Sequence, residues 1–279
     1  MNSNSLYRIG IVQLNSTNII ANNLTKVKHY ISQSLKDNLD ALIFPEATDY
    51  IAENKEQSYE LCQTTNKTFV EPLTDYIKTL KLNKLNIFIG VHLPSTVDPE
   101  TKIRNCLLRI DHKGEIINEY QKIHTFDVPK LDIIESNLVE KGTKRPEVQA
   151  INGLLKIGPG ICYDIRFPEQ SLYLREKGAH VLLFPSAFTM VTGEKHWDKL
   201  GMARSLDTQC YSVLVGQVGQ HNAKRASWGH SKIIGPWGDI LLKLKDSEED
   251  YGFLDIDLND LQKVRDGMPL FDQKPKGMF

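Results

Sequence analysis

Four cysteines in 279 residues are too few and too scattered for a disulfide framework. Cys62, Cys106, Cys162 and Cys210 form no Cys-x-x-Cys pair, and none stands at a zinc-like spacing from histidine. A reducing, cytoplasmic setting is the natural expectation, with a mitochondrial fraction left open. No uninterrupted apolar run approaches the ~20 residues that span a bilayer. The polar start MNSNSLYR has no apolar centre of the kind a secretory signal carries. Charge of one sign is also lacking: the formal net charge is -1, which argues against an electrostatic binder of nucleic acid or membrane. Repeats, low-complexity tracts and Gly/Ser linkers are absent too. What is present, 41% hydrophobic and 25% charged residues, is ordinary for a soluble globular chain and fits one domain over residues 1–279.

Strand-like and helical patterns alternate along the chain. YRIGIVQL from Tyr7 to Leu14 predicts a buried strand, and Asn22 to Leu35 has helical spacing. DALIF from Asp40 to Phe44 predicts a second strand, ending in Pro45-Glu46. Tyr59 to Leu82 predicts a helix that restarts near Pro72, followed by a third strand over Asn86 to His92. Arg104 to Asp111 and Glu115 to Gln121 read as a hairpin that delivers Lys122. Thr125 to Thr143 shows no period and reads as a long loop, where function tends to sit. Further strands are expected at Ala179 to Phe184, Tyr211 to Val218, Ser231 to Ile234, Ile240 to Leu244 and Gly252 to Ile256, with helices at His196 to Cys210 and Asn259 to Val264. Alternating strands and helices with interspersed hairpins define an α/β domain with mixed sheets.

LLKIGPGICYDIRFPEQSLYLREKG, from Leu154 to Gly178, reads as strand, sharp turn and helix, with Pro168 where a helix can begin. Cys162 falls at the strand end, near a helix N-terminus and Arg166, and both neighbours favour a nucleophilic thiolate. The alternative is a small buried hydrophobe, the common fate of a free cysteine. Glu46 and Lys122 also follow strands, at the end of an α/β sheet where ligands bind. If the three converge, a carboxylate, an ammonium and a thiol suffice for acyl transfer: base, oxyanion stabiliser and nucleophile. Otherwise Glu46 is a loop carboxylate or half of a minor ion pair. Spacing alone leaves the two readings open.

At these residues the chain resembles the nitrilase superfamily of carbon–nitrogen hydrolases. FPEATDY around Glu46, YQKIHTFDV around Lys122 and GICYDIRFPE around Cys162 are similar to its base, lysine and nucleophile motifs, in the family's order. The resemblance implies a four-layer α-β-β-α sandwich, homodimers, no metal or organic cofactor, and catalytic Glu46, Lys122 and Cys162. It further implies support from Glu135, in the IIES segment, and an oxyanion contact from the Tyr163 backbone N–H. PSAFTMVTGEKHW, ARSLDTQCY and RASWGHSKIIGPWG resemble the Nit branch, whose members are amidases for 2-oxo acid amides. One group hydrolyses deaminated glutathione to 2-oxoglutarate and cysteinylglycine; the other, ω-amidase, hydrolyses 2-oxoglutaramate. PSAF and RASWGHS look more like the first group, so a small-molecule 2-oxo acid amide is the expected partner. Thr125 and the 129–134 loop depart from the branch pattern. Arg166 suits the substrate carboxylate, because arginine's fork matches a carboxylate. Tyr50, Phe188 and Thr189 are expected to line the pocket, whereas His196 and Trp197 are read as structural. His124 and Asp127 are expected to order the lysine loop. A catalytically idle scaffold is the competing class of function.

Overall fold

The computed structural model describes residues 5–131 and 133–275, the side chain of residue 131 excepted. In chain order the strands are β1 (Leu6–Gln13), β2 (Ala41–Ile43), β3 (Asn86–Pro94), β4 (Ile103–Ile110), β5 (Ile116–Gln121), β6 (Asp127–Val128), β7 (Ile133–Ile134), β8 (Gln149–Ile151), β9 (Leu155–Pro159), β10 (Val181–Ser186), β11 (Tyr211–Gly216), β12 (Val218–Gln220), β13 (Ala226–Trp228), β14 (Lys232–Ile234), β15 (Ile240–Lys243) and β16 (Asp250–Asp257). The α-helices are α1 (Ile20–Ser34), α2 (Lys55–Thr65), α3 (Glu71–Thr79), α4 (Pro168–Glu176), α5 (Met190–Thr208) and α6 (Leu258–Gly267). One sheet runs β16-β1-β2-β3-β4-β5, the other β15-β14-β11-β10-β9-β8. Both are mixed: β1-β2-β3 and β9-β10-β11 pair in parallel, and hairpin partners extend each sheet antiparallel.

Three apolar layers explain why the strands read as continuous hydrophobic runs. In β2, Leu42 packs with Val27 and Ile31 of α1, while Ala41 and Ile43 turn to the layer between the sheets. In β10, Val181 and Leu183 enter that same central layer, while Leu182 and Phe184 pack with Trp197 of α5. Side chains alternate across a strand, so a strand buried on both faces needs apolar residues at every position. The layers stack as α-β-β-α, the four-layer mixed-sheet sandwich expected from the resemblance.

Several predicted elements shift. The helix over Tyr59 to Leu82 begins earlier, at Lys55, and passes through a π turn at Asn66–Val70 into α3. Pro72 falls in the first turn of α3, where no backbone donor is needed. The helix placed at His196 begins at Met190, because Thr189 caps it and accepts from Thr192 N. The stretch from Thr125 to Thr143 is not a structureless loop. It carries the β6–β7 ribbon and two 3₁₀ turns, too short to impose a readable period.

Candidate active site

Glu46 follows β2 through the turn Phe44-Pro45, at the carboxyl end of a parallel strand. The Glu46 turn crosses directly over β3, and Gly90 makes that crossing feasible. A Cβ at position 90 would lie 2.5 Å from Pro45 O and 2.6 Å from Glu46 Cα. Gly90 N–H donates to Pro45 O and Gly90 O accepts from Thr48 N, so the strand grips the turn from both sides.

Lys122 stands one residue past β5 and keeps that strand's pairing, with Lys122 N–H donating to Asn105 O at 2.9 Å. Two residues along each strand, after Asn105 and before Lys122, the paired Leu107 and Tyr120 belong to the layer between the sheets. By strand alternation Asn105 and Lys122 face the same way. There both reach Glu46: Lys122 Nζ lies 3.0 Å and Asn105 Nδ2 2.8 Å from Glu46 Oε1. Ala187 N–H, just after β10, donates to Glu46 Oε2 at 2.8 Å. Lys122 Nζ also donates to both oxygens of Glu135, at 2.9 and 3.0 Å. Glu135 is held in turn by Phe126 N–H. Two carboxylates therefore flank one ammonium whose side chain is 2% exposed.

Cys162 does not end the strand, as the sequence suggested. It opens a 3₁₀ segment, Cys162–Arg166, three residues beyond β9, with φ at +49°. Such left-handed backbone in a non-glycine residue costs ~1–3 kcal/mol and persists only where its surroundings impose it. Asp164 supplies that restraint. Its Oδ2 accepts from Ile161 N–H at 2.9 Å and from the Tyr120 hydroxyl at 2.7 Å. Its Oδ1 accepts from His124 N–H at 3.1 Å and lies 2.7 Å from His124 Nδ1. One fully buried carboxylate thus ties the cysteine turn to the residues on both sides of Lys122.

The electrostatics run against the thiolate that the local neighbours of Cys162 favour. Burial, followed by the Glu46 charge, pushes the Cys162 thiol above its ordinary pKa, and Lys122 and the Ala187 N–H only partly offset this. Burial works against ionisation of Glu46 as well. Lys122 and the hydrogen bonds from Cys162 and Asn105 outweigh it and hold the carboxyl below its usual value of 4.5. Burial disfavours the ammonium of Lys122, but Glu135 and Glu46 overcome that and raise it well above 10.5. At neutral pH the set is a neutral thiol, an ionised carboxylate and a protonated lysine. Arg166 sits over the Tyr163 and Phe188 rings, with Nη2 3.2 Å from His196 Nδ1.

A cavity of about 940 Å³ opens onto this cluster. Its wall includes every residue singled out in the sequence for the site: Glu46, Lys122, Cys162, Glu135, Arg166, Tyr50, Phe188, Thr189 and Tyr163. Not all offer the groups expected of them. The Tyr50 hydroxyl donates to Ser58 O at 2.7 Å, and its ring stacks on His92 at 4.4 Å, so the hydroxyl is already engaged within the protein. The Thr189 hydroxyl is engaged with Thr192 in the cap of α5. His196 Nδ1 lies 3.2 Å from Arg166 Nη2 at the protein surface. His124 stacks on Phe167 at 3.6 Å, and Asp127 accepts from Thr125 Oγ1 and Ser136 N–H, so both order the lysine segment as expected. The sequence reading missed Asn105, Asp164, the Ala187 N–H and Gln217, whose Nε2 donates to the carbonyls of Glu46 and Ala47. Asn105 left a signal, a lone amide in the run IRNCLLRI. Asp164 left none beyond proximity to Cys162. Among the described residues no group of three or more His, Cys, Asp or Glu side chains is placed to hold a metal ion, and no helix is long and apolar enough to cross a membrane.

An acid, an amine and a thiol between two stacked sheets define the carbon–nitrogen hydrolase architecture, and the chain belongs to that family: the Carbon-nitrogen hydrolase family matches residues 8–266. Among individual relatives, the chain is 41% identical over 269 residues to the probable hydrolase nit2 of Schizosaccharomyces pombe, covering 93% of this chain and 95% of that one. It is 36% identical over 286 residues to the deaminated glutathione amidase of Dictyostelium discoideum, covering 97% and 94%. The crystal structure of the C. elegans NitFhit protein superposes with a TM-score of 0.91 at 32% identity, over 98% of this chain and 66% of that longer one.

Proposed function

We propose that the protein is an amidase acting on a 2-oxo acid amide through an acyl-enzyme on Cys162, with deaminated glutathione as substrate and 2-oxoglutarate and cysteinylglycine as products. The observation that carries this reading is the convergence of Glu46, Lys122 and Cys162 on one cavity, with Lys122 Nζ 3.0 Å from Glu46 Oε1. Glu46 takes the thiol proton as sulfur attacks the amide carbon. The oxyanion forms against the Lys122 ammonium and the Tyr163 N–H, which lies in the first turn of a helical segment where backbone donors lack intrahelical partners. Collapse breaks the C–N bond, and the proton held by Glu46 leaves with the amine. Glu46 then takes a proton from water, which attacks the thioester, releases the acid and restores the thiol. Glu135 keeps the lysine charged and in place. Arg166 takes the 2-oxo acid carboxylate, and Tyr50, Phe188 and Thr189 shape the wall.

The substrate is supported by relatives named for deaminated glutathione amidase in Dictyostelium discoideum and Homo sapiens. The resemblance to the Nit branch keeps ω-amidase activity on 2-oxoglutaramate as the second reading. Mass spectrometry of protein mixed with a slow amide should show an acyl adduct on Cys162, and an unmodified cysteine during turnover would overturn the mechanism. Turnover on the two amides separates the substrates: faster hydrolysis of 2-oxoglutaramate reverses their order. A homodimer belongs to the same reading. Exposed Leu206, Trp237, Ile240 and Leu241 lie on and beside the Gly235–Gly238 turn, an apolar surface suited to a partner. Light scattering should give twice the chain mass. A cytoplasmic location, with or without a mitochondrial fraction, is tested by fractionation.

A further inference from the structure

The charges around the cavity are unbalanced. Its wall carries Lys55, Lys122, Arg166, Lys224 and Arg225 against Glu46, Glu53 and Glu135. Lys122 is neutralised at the floor by the two glutamates it touches. Of the others, Lys55, Lys224 and Arg225 are exposed, which places them on the solvent side. Among the described residues, none of these three, nor Arg166, forms an ion pair with a carboxylate. Glu53 is the single acid beside them. A wall with two surplus positive charges, in a chain of net charge -1, matches a dianion better than a monoanion.

The cations at the mouth stand on a braced support. Lys224 and Arg225 occupy the turn between β12 and β13, and Asn222 Oδ1 accepts from both their backbone N–H groups at 3.0 Å. Asn222 Nδ2 donates to Ala52 O at 3.3 Å, which draws the turn to the segment leading into α2, where Lys55 begins the helix. His221 bridges Ser16 O and Ser227 Oγ, each at 2.8 Å. Burial pushes its pKa down to about 4, so at neutral pH its ring is uncharged and bonds as donor on one side and acceptor on the other. Trp228 N–H donates to Phe188 O, which lays β13 along the cavity wall that follows β10. The turn is therefore fixed relative to the cysteine.

We infer that the β12–β13 turn, through Lys224 and Arg225 with Lys55 opposite, is a subsite for a carboxylate carried by the departing amine. This deepens the proposed amidase reading and rests on it. Arg166, close to the cysteine, takes the carboxylate of the acyl part; the mouth takes the second, distal one. The favoured substrates are then amides with an acid at each end. An amide that releases only ammonia leaves the mouth empty. The subsite selects among leaving groups and takes no part in bond breaking.

Two measurements keep the subsite and the activity apart. Turnover of deaminated glutathione by the native protein reads the activity. Calorimetric binding to the Cys162→Ala protein reads the subsite, with deaminated glutathione compared with its C-terminal carboxamide, which has the same shape and one charge fewer. The carboxylate form is expected to bind about tenfold more tightly, the sum of two solvent-facing charge contacts. That preference should shrink towards unity in a Lys224→Gln, Arg225→Gln protein and as salt is raised. Equal binding of the two forms, or a preference untouched by the double substitution, overturns the subsite even if native turnover is fast.

Discussion

The floor and the mouth of the cavity are both rich in charge, yet they use it in opposite ways. At the floor Glu46, Lys122 and Glu135 are mutually paired, largely withdrawn from water and held by backbone donors. At the mouth Lys55, Lys224 and Arg225 are exposed and lack a carboxylate partner among the described residues. Buried charges act strongly at short range but must satisfy one another. Solvated charges act weakly, and are free for whatever arrives. Bond chemistry suits the first arrangement and substrate selection the second.

The contrast is broken most severely at Cys162. Replacing it with serine should abolish amide turnover while the unfolding midpoint stays near that of the native protein, because an alcohol is far harder to ionise than a thiol. Next comes Glu46→Gln, which removes the base. Turnover should fall ~10²–10⁴-fold, read from steady-state kinetics. The native pH profile sharpens the same point. With its pKa lowered, Glu46 stays ionised, so its share of activity and stability is complete above its unfolded value near 4.5 and lost as pH falls through the lower folded value. Because the Cys162 thiol is raised, no thiolate absorbance should grow in at 240 nm between about pH 6 and 9, where an ordinary cysteine ionises.

Asp164→Asn tests the support beneath the floor. It leaves an amide among donors and should lower the unfolding free energy by ~1.5–3 kcal/mol in denaturant titrations, with a fall in kcat as the elbow relaxes. The smallest effect is expected at Arg166→Lys. Loss of the planar fork should raise KM for 2-oxo acid amides about tenfold, or about 1.4 kcal/mol, with little change in kcat. Unchanged KM would detach Arg166 from the substrate carboxylate.

Much of this was legible in the chain. Doubly buried strands such as β2 and β10 announce themselves as apolar runs, and the residue after each run falls at the sheet's ligand-binding end. That rule marked Glu46, Lys122 and the neighbourhood of Cys162. The tuning of the site was not legible, because it depends on partners distant in sequence. Cys162 looked activated from its local neighbours, Arg166 and a helix start. The decisive influences, burial and the Glu46 carboxylate, come from elsewhere in the fold. Asp164 is similar: nothing in GICYDIRF says that its carboxylate reaches Tyr120 and His124. The β6–β7 ribbon was missed because strands of two residues have no period to detect.

The crossing at Gly90 bears on how damaging variants are distributed. Position 90 offers no functional group and lies inside a strand, yet a single methyl there would press against the backbone of Glu46. A Gly90→Ala change should therefore displace the base from the thiol and silence the enzyme without altering any atom that meets the substrate. Loss-of-function lesions in this protein should accordingly turn up at a place that surface inspection of the cleft would pass over.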